Sequence, residues 1–480
     1  MRFTLTRAGV FGALCVFLGG AGAASANPVI VIDAASGETL VQQEATRPWY
    51  PASLTKLMTT FVALKAVREG RITLNTPLRV SARATKMAPS KMGFKAGTLV
   101  TLDNALKILM VKSANDVAVT IAEGVSGSVE AFADEMNSAA RALGMHESHF
   151  TNPNGLPDAR LVSSARDMAL LGRALYVYFP EQAGLFDIGA LKLGKRIIPT
   201  HNGMLGRYPG ADGMKTGFTC AAGFNLVASA SQNGRRLIAV VLGAPSAKSR
   251  TMMAASMLDK GFATSSSQGA ASSLASIGGE APDMHDSACR HRGKASAEFE
   301  AQVEDMSVPI QRGFIGRTAE GNSTYGGAPA ASGALRPSEV AAMPRPTFTA
   351  IPIFVGPIAG WSGPIAHAVG DVATPKSQAY SAKAQEGADS PVKPAPDAQS
   401  MRGKRGAKAK AAKARTTKTT RTRAHKAKAA KTKATKPKAA QSKPAPAKAK
   451  STKSSATKTE HSAKKGKASV AKRSAKPGEE

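Results

Sequence analysis

Apolar and polar positions are ordered along the first half of this 480-residue chain and scattered along the second. Val29, Ile30, Val31 and Ile32 precede Ala34-Ala35-Ser36-Gly37, and Leu40-Val41 follow, so residues 27–41 are predicted to form a β-hairpin. Over residues 54–69, Leu54, Leu57, Met58, Phe61, Val62 and Leu64 share one broad face, and Gly70 stops the pattern, which predicts a helix. Similar spacing predicts helices over 103–123 and 129–143, the latter ended by Gly144. Strands are expected over 224–230 and 237–242, joined through Gln232-Asn233-Gly234, a strong hairpin signal. A last helix is expected over 249–260. Strands at both ends with helices between them predict one α/β domain over residues 27–265. Its antiparallel sheet is formed by both ends of the domain, with helices packed on it.

The flanking segments are of other kinds. Arg2 and Arg7 precede an apolar run over 8–19, and small residues lead to Ala24-Ser25-Ala26 before Asn27. That is the three-part pattern of a secretory signal peptide over residues 1–26, and it implies export. Residues 266–400 are rich in Ser, Ala, Gly and Pro and read as an unfolded linker. Its one apolar stretch, 351–369, contains Pro352, Pro357 and Pro364, which argue against a spanning helix. Residues 401–480 carry 27 lysines and arginines against three acidic residues, so +24 of the chain's net +32 sits in this low-complexity tail. Such a like-charged block repels itself and stays extended. The charge therefore does not describe a uniformly basic nucleic-acid-binding domain. Three cysteines, Cys15, Cys220 and Cys289, are too few for a disulfide scaffold or a Cys-rich zinc site, and the eight histidines form no ligand pair at metal spacing.

Three short motifs lie in order in the predicted domain. Ser53-Leu54-Thr55-Lys56 follows Tyr50-Pro51-Ala52 at the start of a helix, where positions i and i+3 project from one face. A serine hydroxyl needs a base within hydrogen-bond reach, and a lysine serves when burial and nearby positive charge depress its pKa. Ser113-Ala114-Asn115 offers a hydroxyl to relay a proton and an amide to hold a substrate peptide. Lys215-Thr216-Gly217, on a strand edge, offers an ammonium and a hydroxyl to grip a carboxylate, and Gly217 admits close backbone approach. Each motif alone is common as a helix cap or strand start.

Together, and in this order, they form the signature of penicillin-binding proteins and serine β-lactamases. The words Pro51-Ala52-Ser53-Leu54-Thr55-Lys56-Leu57-Met58, Ser113-Ala114-Asn115-Asp116, Asn152-Pro153-Asn154-Gly155-Leu156 and Asp212-Gly213-Met214-Lys215-Thr216-Gly217-Phe218-Thr219 closely resemble those of the low-molecular-mass D-alanyl-D-alanine carboxypeptidases, serine peptidase family S11. The resemblance covers roughly residues 27–262 and implies a transpeptidase-like fold. It also implies Ser53 as the acylated nucleophile, Lys56 as its general base and Ser113 as the proton shuttle to the leaving D-alanine. Asn115 would bind the substrate peptide, and Lys215, Thr216 and Gly217 its terminal carboxylate region. Backbone N–H groups of Ser53 and Phe218 would form the oxyanion hole. The implied reaction removes the last D-alanine from peptidoglycan stem pentapeptides, with no metal or cofactor, and β-lactams would acylate Ser53 as substrate mimics.

Two departures from the family pattern stand out. Family members often continue into a compact β-domain and an amphipathic membrane-binding helix, whereas here a linker and a basic tail are expected. Cys220 reads as a buried, inert thiol rather than a redox switch, with pairing to Cys289 left open in an oxidising compartment. The tail suits anionic lipid headgroups or wall polymers through counterion release. It lacks aromatic residues for base stacking, and export argues against a physiological nucleic acid. A DD-endopeptidase or a β-lactamase on the same fold is an alternative, although no Glu-x-x-x-Asn-like element separates the second and third motifs. A non-catalytic envelope protein that binds polyanions is a further alternative.

Overall fold

The computed structural model describes residues 27–307 and 335–370. The predicted signal peptide, the linker stretches 308–334 and 371–400, and the basic tail 401–480 lie outside the described residues. The chain opens with strands β1 (Val29–Asp33) and β2 (Thr39–Gln43), then enters helix α1 (Thr55–Arg68) through a single 3-10 turn, Ala52–Leu54. A largely helical stretch follows: β3 (Pro77–Arg79), α2 (Ala82–Thr85), β4 (Leu99–Thr101), α3 (Leu102–Val111), α4 (Asn115–Ser126), α5 (Val129–Ala142) and α6 (Ala165–Tyr178). After the small strands β5 (Ala190–Leu193) and β6 (Arg196–Pro199), three long strands return, β7 (Ala211–Thr219), β8 (Gly223–Gln232) and β9 (Arg235–Ala244), and α7 (Ala247–Ala263) follows.

The main sheet has the order β2-β1-β9-β8-β7 and is antiparallel throughout. β1 pairs with β9, with Val31 opposite Ala239, so the two ends of the domain close the sheet as expected. Alternate residues of these strands face opposite layers. Ile30, Ile32, Ile238 and Val240 join the core under α1 and α3–α6, while Val29, Val31, Leu237, Ala239 and Val241 pack with Met252, Ala255 and Leu258 of α7. Burial on both faces explains why these strands read as continuous apolar runs rather than alternating ones. Asn233 and Gly234 both have positive φ, 50° and 77°, as the β8–β9 hairpin turn requires.

The helix expected over 103–123 is two helices. α3 ends at Val111, α4 begins at Asn115, and Ser113 between them takes a left-handed backbone with φ 58°. Apolar spacing runs on across the break because Ile108, Leu109, Val117 and Ile121 enter the same core, and neither glycine nor proline marks it.

The unfolded linker expected from residue 266 is not what the structure shows over 266–307 and 335–370. Residues 268–271 hydrogen-bond to the outer side of β2, with Thr39 N donating to Gly269 O at 2.8 Å. Helix α8 (Arg292–Asp305) and the short α9 (Pro337–Ala342) bury Phe299, Val303 and Val340 against α7. Strand β10 (Ile351–Ile353) pairs in parallel with β5, and the following chain hydrogen-bonds to Leu99, Pro77 and Gly127 on the helical layer. The apolar stretch 351–369 is thus a strap laid on the domain. Its apolar residues are too few to make a core of their own, so composition resembles disorder, yet Ile351, Ile353 and Ala366 pack on a core already built, while Phe354 and Val369 stay exposed. Cys220 and Cys289 form a disulfide, with Cα atoms 5.7 Å apart, which corrects the free-thiol reading. The bond fastens the chain just before α8 to the β7–β8 turn.

Candidate active site

The 3-10 turn sets Ser53 ahead of α1. Ala52 adopts a positive φ of 49°, and Asn225 on β8 donates to Tyr50 O (2.9 Å) and Pro51 O (3.2 Å), pinning the turn to the sheet. Two glycines let neighbouring backbone close on it. A Cβ on Gly217 of β7 would lie 2.9 Å from Pro51 O and 3.2 Å from Ser53 N, and one on Gly155 would collide with the Ala52 carbonyl. Gly155 also has φ 77°, which a side chain would strain.

Lys56 is fully buried one turn into α1. Its Nζ lies 2.9 Å from Ser53 Oγ, 2.8 Å from Asn115 Oδ1 and 2.5 Å from Asn154 O. Burial first, and the positive charge of Lys215 second, hold its pKa well below the usual lysine range, while Asp116 opposes the shift. The donor count gives the direction of each bond. Asn154 O is an obligate acceptor. The Asn115 amide is oriented by Nδ2 donating to Ala88 O at 2.9 Å, so Oδ1 must accept. A neutral amine has two N–H groups, and these two oxygens take both. The remaining lone pair then faces Ser53 Oγ, the arrangement that draws a proton from the serine.

Opposite, Lys215 Nζ lies 2.8 Å from Ser113 Oγ and 2.9 Å from Thr216 O. The left-handed conformation of Ser113 turns its hydroxyl into the cleft instead of along a helix face. Burial, and then the charge of Arg250, bring the Lys215 pKa down to about 7. Arg250, on α7, is itself lowered to about 10 by burial and the charge of Arg345. Among the described residues, none of these three cations forms an ion pair. The nearby Asp116 carboxylate instead accepts from Met92 N (3.0 Å) and Gly93 N (2.8 Å), tying that loop to the start of α4. A cleft with uncompensated cations favours an anionic ligand. Thr216 is half-buried, and Phe218 is exposed with its ring 4.1 Å from that of Phe224.

Of the eight residues singled out from the sequence, Lys56 Nζ links Ser53 and Asn115, Lys215 Nζ meets Ser113 Oγ, Gly217 backs onto the Ser53 turn, and Thr216 and Phe218 flank Gly217 on β7. Asn115 differs from expectation in part. Its Oδ1 is spent on Lys56 and one Nδ2 hydrogen on Ala88, leaving a single N–H for a substrate. Sequence reasoning missed Asn154, which acts through its backbone carbonyl, and Arg250, which backs Lys215 from another element. The Asn-Pro-Asn-Gly turn was the available signal for Asn154: Asn152 Oδ1 accepts from Asn154 N and Gly155 N and shapes the loop. Among the described residues, no group of three or more His, Cys, Asp or Glu is placed to hold a metal.

Comparison with known proteins finds sequence likeness to one family. The family model for D-alanyl-D-alanine carboxypeptidase matches residues 19–246. A D-alanyl-D-alanine carboxypeptidase of Bacillus subtilis is 34% identical over 49% of this chain and 62% of its own length. One of Haemophilus influenzae is 36% identical over 50% and 62%, and one of Mycobacterium tuberculosis is 32% identical over 49% and 81%. The crystal structure of penicillin binding protein 5 from Haemophilus influenzae aligns over 50% of this chain and 71% of that one, at 36% identity and a TM-score of 0.48. The match spans about three fifths of the length of the first two relatives. With motif order, site geometry and sequence in agreement, the chain belongs to the D-alanyl-D-alanine carboxypeptidase family, peptidase family S11.

Proposed function

We propose that this protein is a serine D-Ala-D-Ala carboxypeptidase that trims the terminal D-alanine from peptidoglycan stem pentapeptides. The observation that carries the reading is the set of partners around Lys56 Nζ, which leaves its lone pair on Ser53 Oγ. In the proposed reaction Ser53 Oγ attacks the penultimate D-alanine carbonyl while its proton passes to Lys56. The oxyanion is met by the backbone N–H groups of Ser53 and Phe218. Ser113 hands a proton to the departing D-alanine nitrogen, and water then hydrolyses the Ser53 ester. Lys215 and Thr216 hold the substrate's terminal carboxylate, and Asn115 positions Lys56 and offers one N–H to the peptide. β-Lactams enter the same cleft and acylate Ser53.

The test is D-alanine release from a stem pentapeptide by wild type and by Ser53→Ala, with covalent penicillin labelling alongside. Release and labelling by wild type, and neither by the variant, is the expected result. A folded wild type that does neither refutes the reading.

The same reading places the protein outside the cytoplasm, where its substrate lies. The signal-peptide pattern over 1–26 and the Cys220–Cys289 disulfide support export to the cell envelope. Among the described residues, no helix is long and apolar enough to cross a membrane. We assign residues 401–480 to non-specific tethering on anionic lipid or wall polymer. Deleting them is expected to move the enzyme from envelope to soluble fractions, and unchanged fractionation refutes the tether.

A further inference from the structure

The cations of the cleft do not end with those assigned to the reaction. The family match covers residues 19–246, and the strap beyond it brings Arg345 to the carboxylate end of the site. Anchors on either side fix its place. Val340 on α9 is buried against α7, and the Phe348 ring lies over Gly189, where an added Cβ would come within 2.0 Å of it. Between these anchors Arg345 Nη1 donates to Thr200 O at 3.2 Å. Thr200 begins a short loop that Asn202 fastens to β7, its Nδ2 donating at 2.9 Å to the carbonyl of Gly213, which precedes Met214 and Lys215.

The charges gathered there are of one sign. Partial burial first, and then the charges of Lys215, Lys112, Arg345 and Arg250, bring the pKa of His201 in that loop down to about 4, so its imidazole is neutral in the middle of four cations. Arg207 lies alongside. A Cβ on Gly203 would sit 2.9 Å from Thr251 Oγ1 and 3.7 Å from Arg207 Nη1, which puts that guanidinium at the start of α7 beside Arg250. Among the described residues, the three guanidinium groups donate only to backbone carbonyls: Arg250 Nη1 to Asn225 O at 3.5 Å, Arg207 Nε to Pro344 O at 3.5 Å, and Arg345 to Thr200 O. Each keeps most of its five N–H groups for a ligand.

We propose that the strap completes a second anion subsite beside the one for the terminal carboxylate, in which Arg345, with Arg250 and Lys112, receives a carboxylate on the side chain of the leaving residue. The substrate class it adds is peptides whose last residue is a dicarboxylic D-amino acid. The inference rests on the carboxypeptidase reading, which sets the leaving residue's α-carboxylate at Lys215 and Thr216. That carboxylate answers one cation of the cluster, and a second anion relieves the repulsion among the rest. A planar guanidinium takes a carboxylate through two parallel hydrogen bonds, which an amide of the same size does not match. Arg345 is exposed, so its share is that of a solvent-screened pair, about fivefold in affinity.

The test measures kcat and KM of the full protein on diacetyl-L-lysyl-D-alanyl-X, where X is D-glutamate, D-glutamine or D-alanine. Glutamine matches glutamate in size and lacks its charge. In wild type, kcat/KM for D-glutamate release is expected to exceed that for D-glutamine about fivefold or more, with the difference in KM and diminished at high salt. Arg345→Gln is expected to compress the ratio to about twofold or less, and Arg345→Lys to retain most of it. Because each variant is read as a ratio between its own substrates, a change in folded fraction cancels. A wild-type ratio near one, or a ratio that Arg345→Gln leaves untouched, overturns the subsite and leaves the carboxypeptidase reading standing. Release from none of the three peptides overturns that reading, and the subsite with it.

Discussion

Lys56 and Arg166 are both almost wholly enclosed, at 0% and 1% exposed, and the protein surrounds them in opposite ways. Arg166 lies between two buried carboxylates, 2.5 Å from Glu147 and 2.7 Å from Asp167. Asp167 in turn accepts from Glu147 N at 2.9 Å and Ser148 Oγ at 2.7 Å. This cluster braces the neck of the 149–162 loop, where His149 pairs with Val162 and Trp49 with Ser163. The tip of that loop delivers the Asn154 carbonyl to Lys56. Lys56 has hydrogen-bond acceptors around it but no carboxylate in contact, since Asp116 is spent on Met92 N and Gly93 N, and a second buried cation lies nearby. A buried charge that is fully paired serves as scaffold, while one deprived of its counterion is driven toward its neutral form and becomes a base.

The largest effects separate the two. Lys56→Met is expected to slow Ser53 acylation by penicillin about a thousandfold or more while leaving the protein folded. Arg166→Met strands two carboxylates in the interior and is expected to cost about 3–5 kcal/mol of stability in denaturant melts. If Lys56→Met unfolded the protein as readily as Arg166→Met, the contrast between base and brace would collapse. A subtler test uses pH. Acylation is expected to rise with pH as Lys56 gives up its proton. Lys215→Gln removes one of the charges that depress the Lys56 pKa, so the acid limb of the acylation profile moves to higher pH. In wild type, KM for the peptide is expected to climb above pH of about 7, where Lys215 loses its charge, and in the variant that climb is absent.

The smallest effect concerns a charge intermediate between these cases. Asp259 on α7 accepts from Tyr208 Oη at 2.8 Å, and burial raises its pKa from 3.8 to about 7. The folded state holds this proton between pH of about 4 and 7, where the unfolded chain has lost it, so stability falls as pH rises through that window. Asp259→Asn is expected to flatten the slope, with a gain in stability above pH 7 and none below pH 4. An equal gain at both ends of the range would mean the carboxylate is not the source.

Much of the sheet and the whole motif set were legible in the sequence because both depend on local pattern. Apolar runs announce doubly covered strands, and Ser53, Lys56, Ser113 and Lys215 stand in fixed words. What stayed hidden depends on tertiary partners. The break at Ser113 carries no glycine or proline, since the surrounding core compensates a left-handed serine. Asn154 contributes a backbone atom, which no side-chain code reports. Phe299, Val303 and Ile353 sit in segments too sparse to form a core alone, so their docking was invisible until α7 and β5 were in place. Cys220 and Cys289, 69 residues apart, meet only because the chain before α8 folds back onto the β7–β8 turn.

The pairing of β1 with β9 also sets a schedule. Residues 29–33 lie beside 237–241, so the earliest strand waits for one of the last before the middle of the sheet exists. A chain still emerging can carry Ser53, Lys56, Ser113 and Lys215 and yet have nothing to hold them together, because Asn225 and β9 anchor the turn that bears the serine. The centre can therefore assemble only once β8 and β9 have been made and β9 has paired with β1.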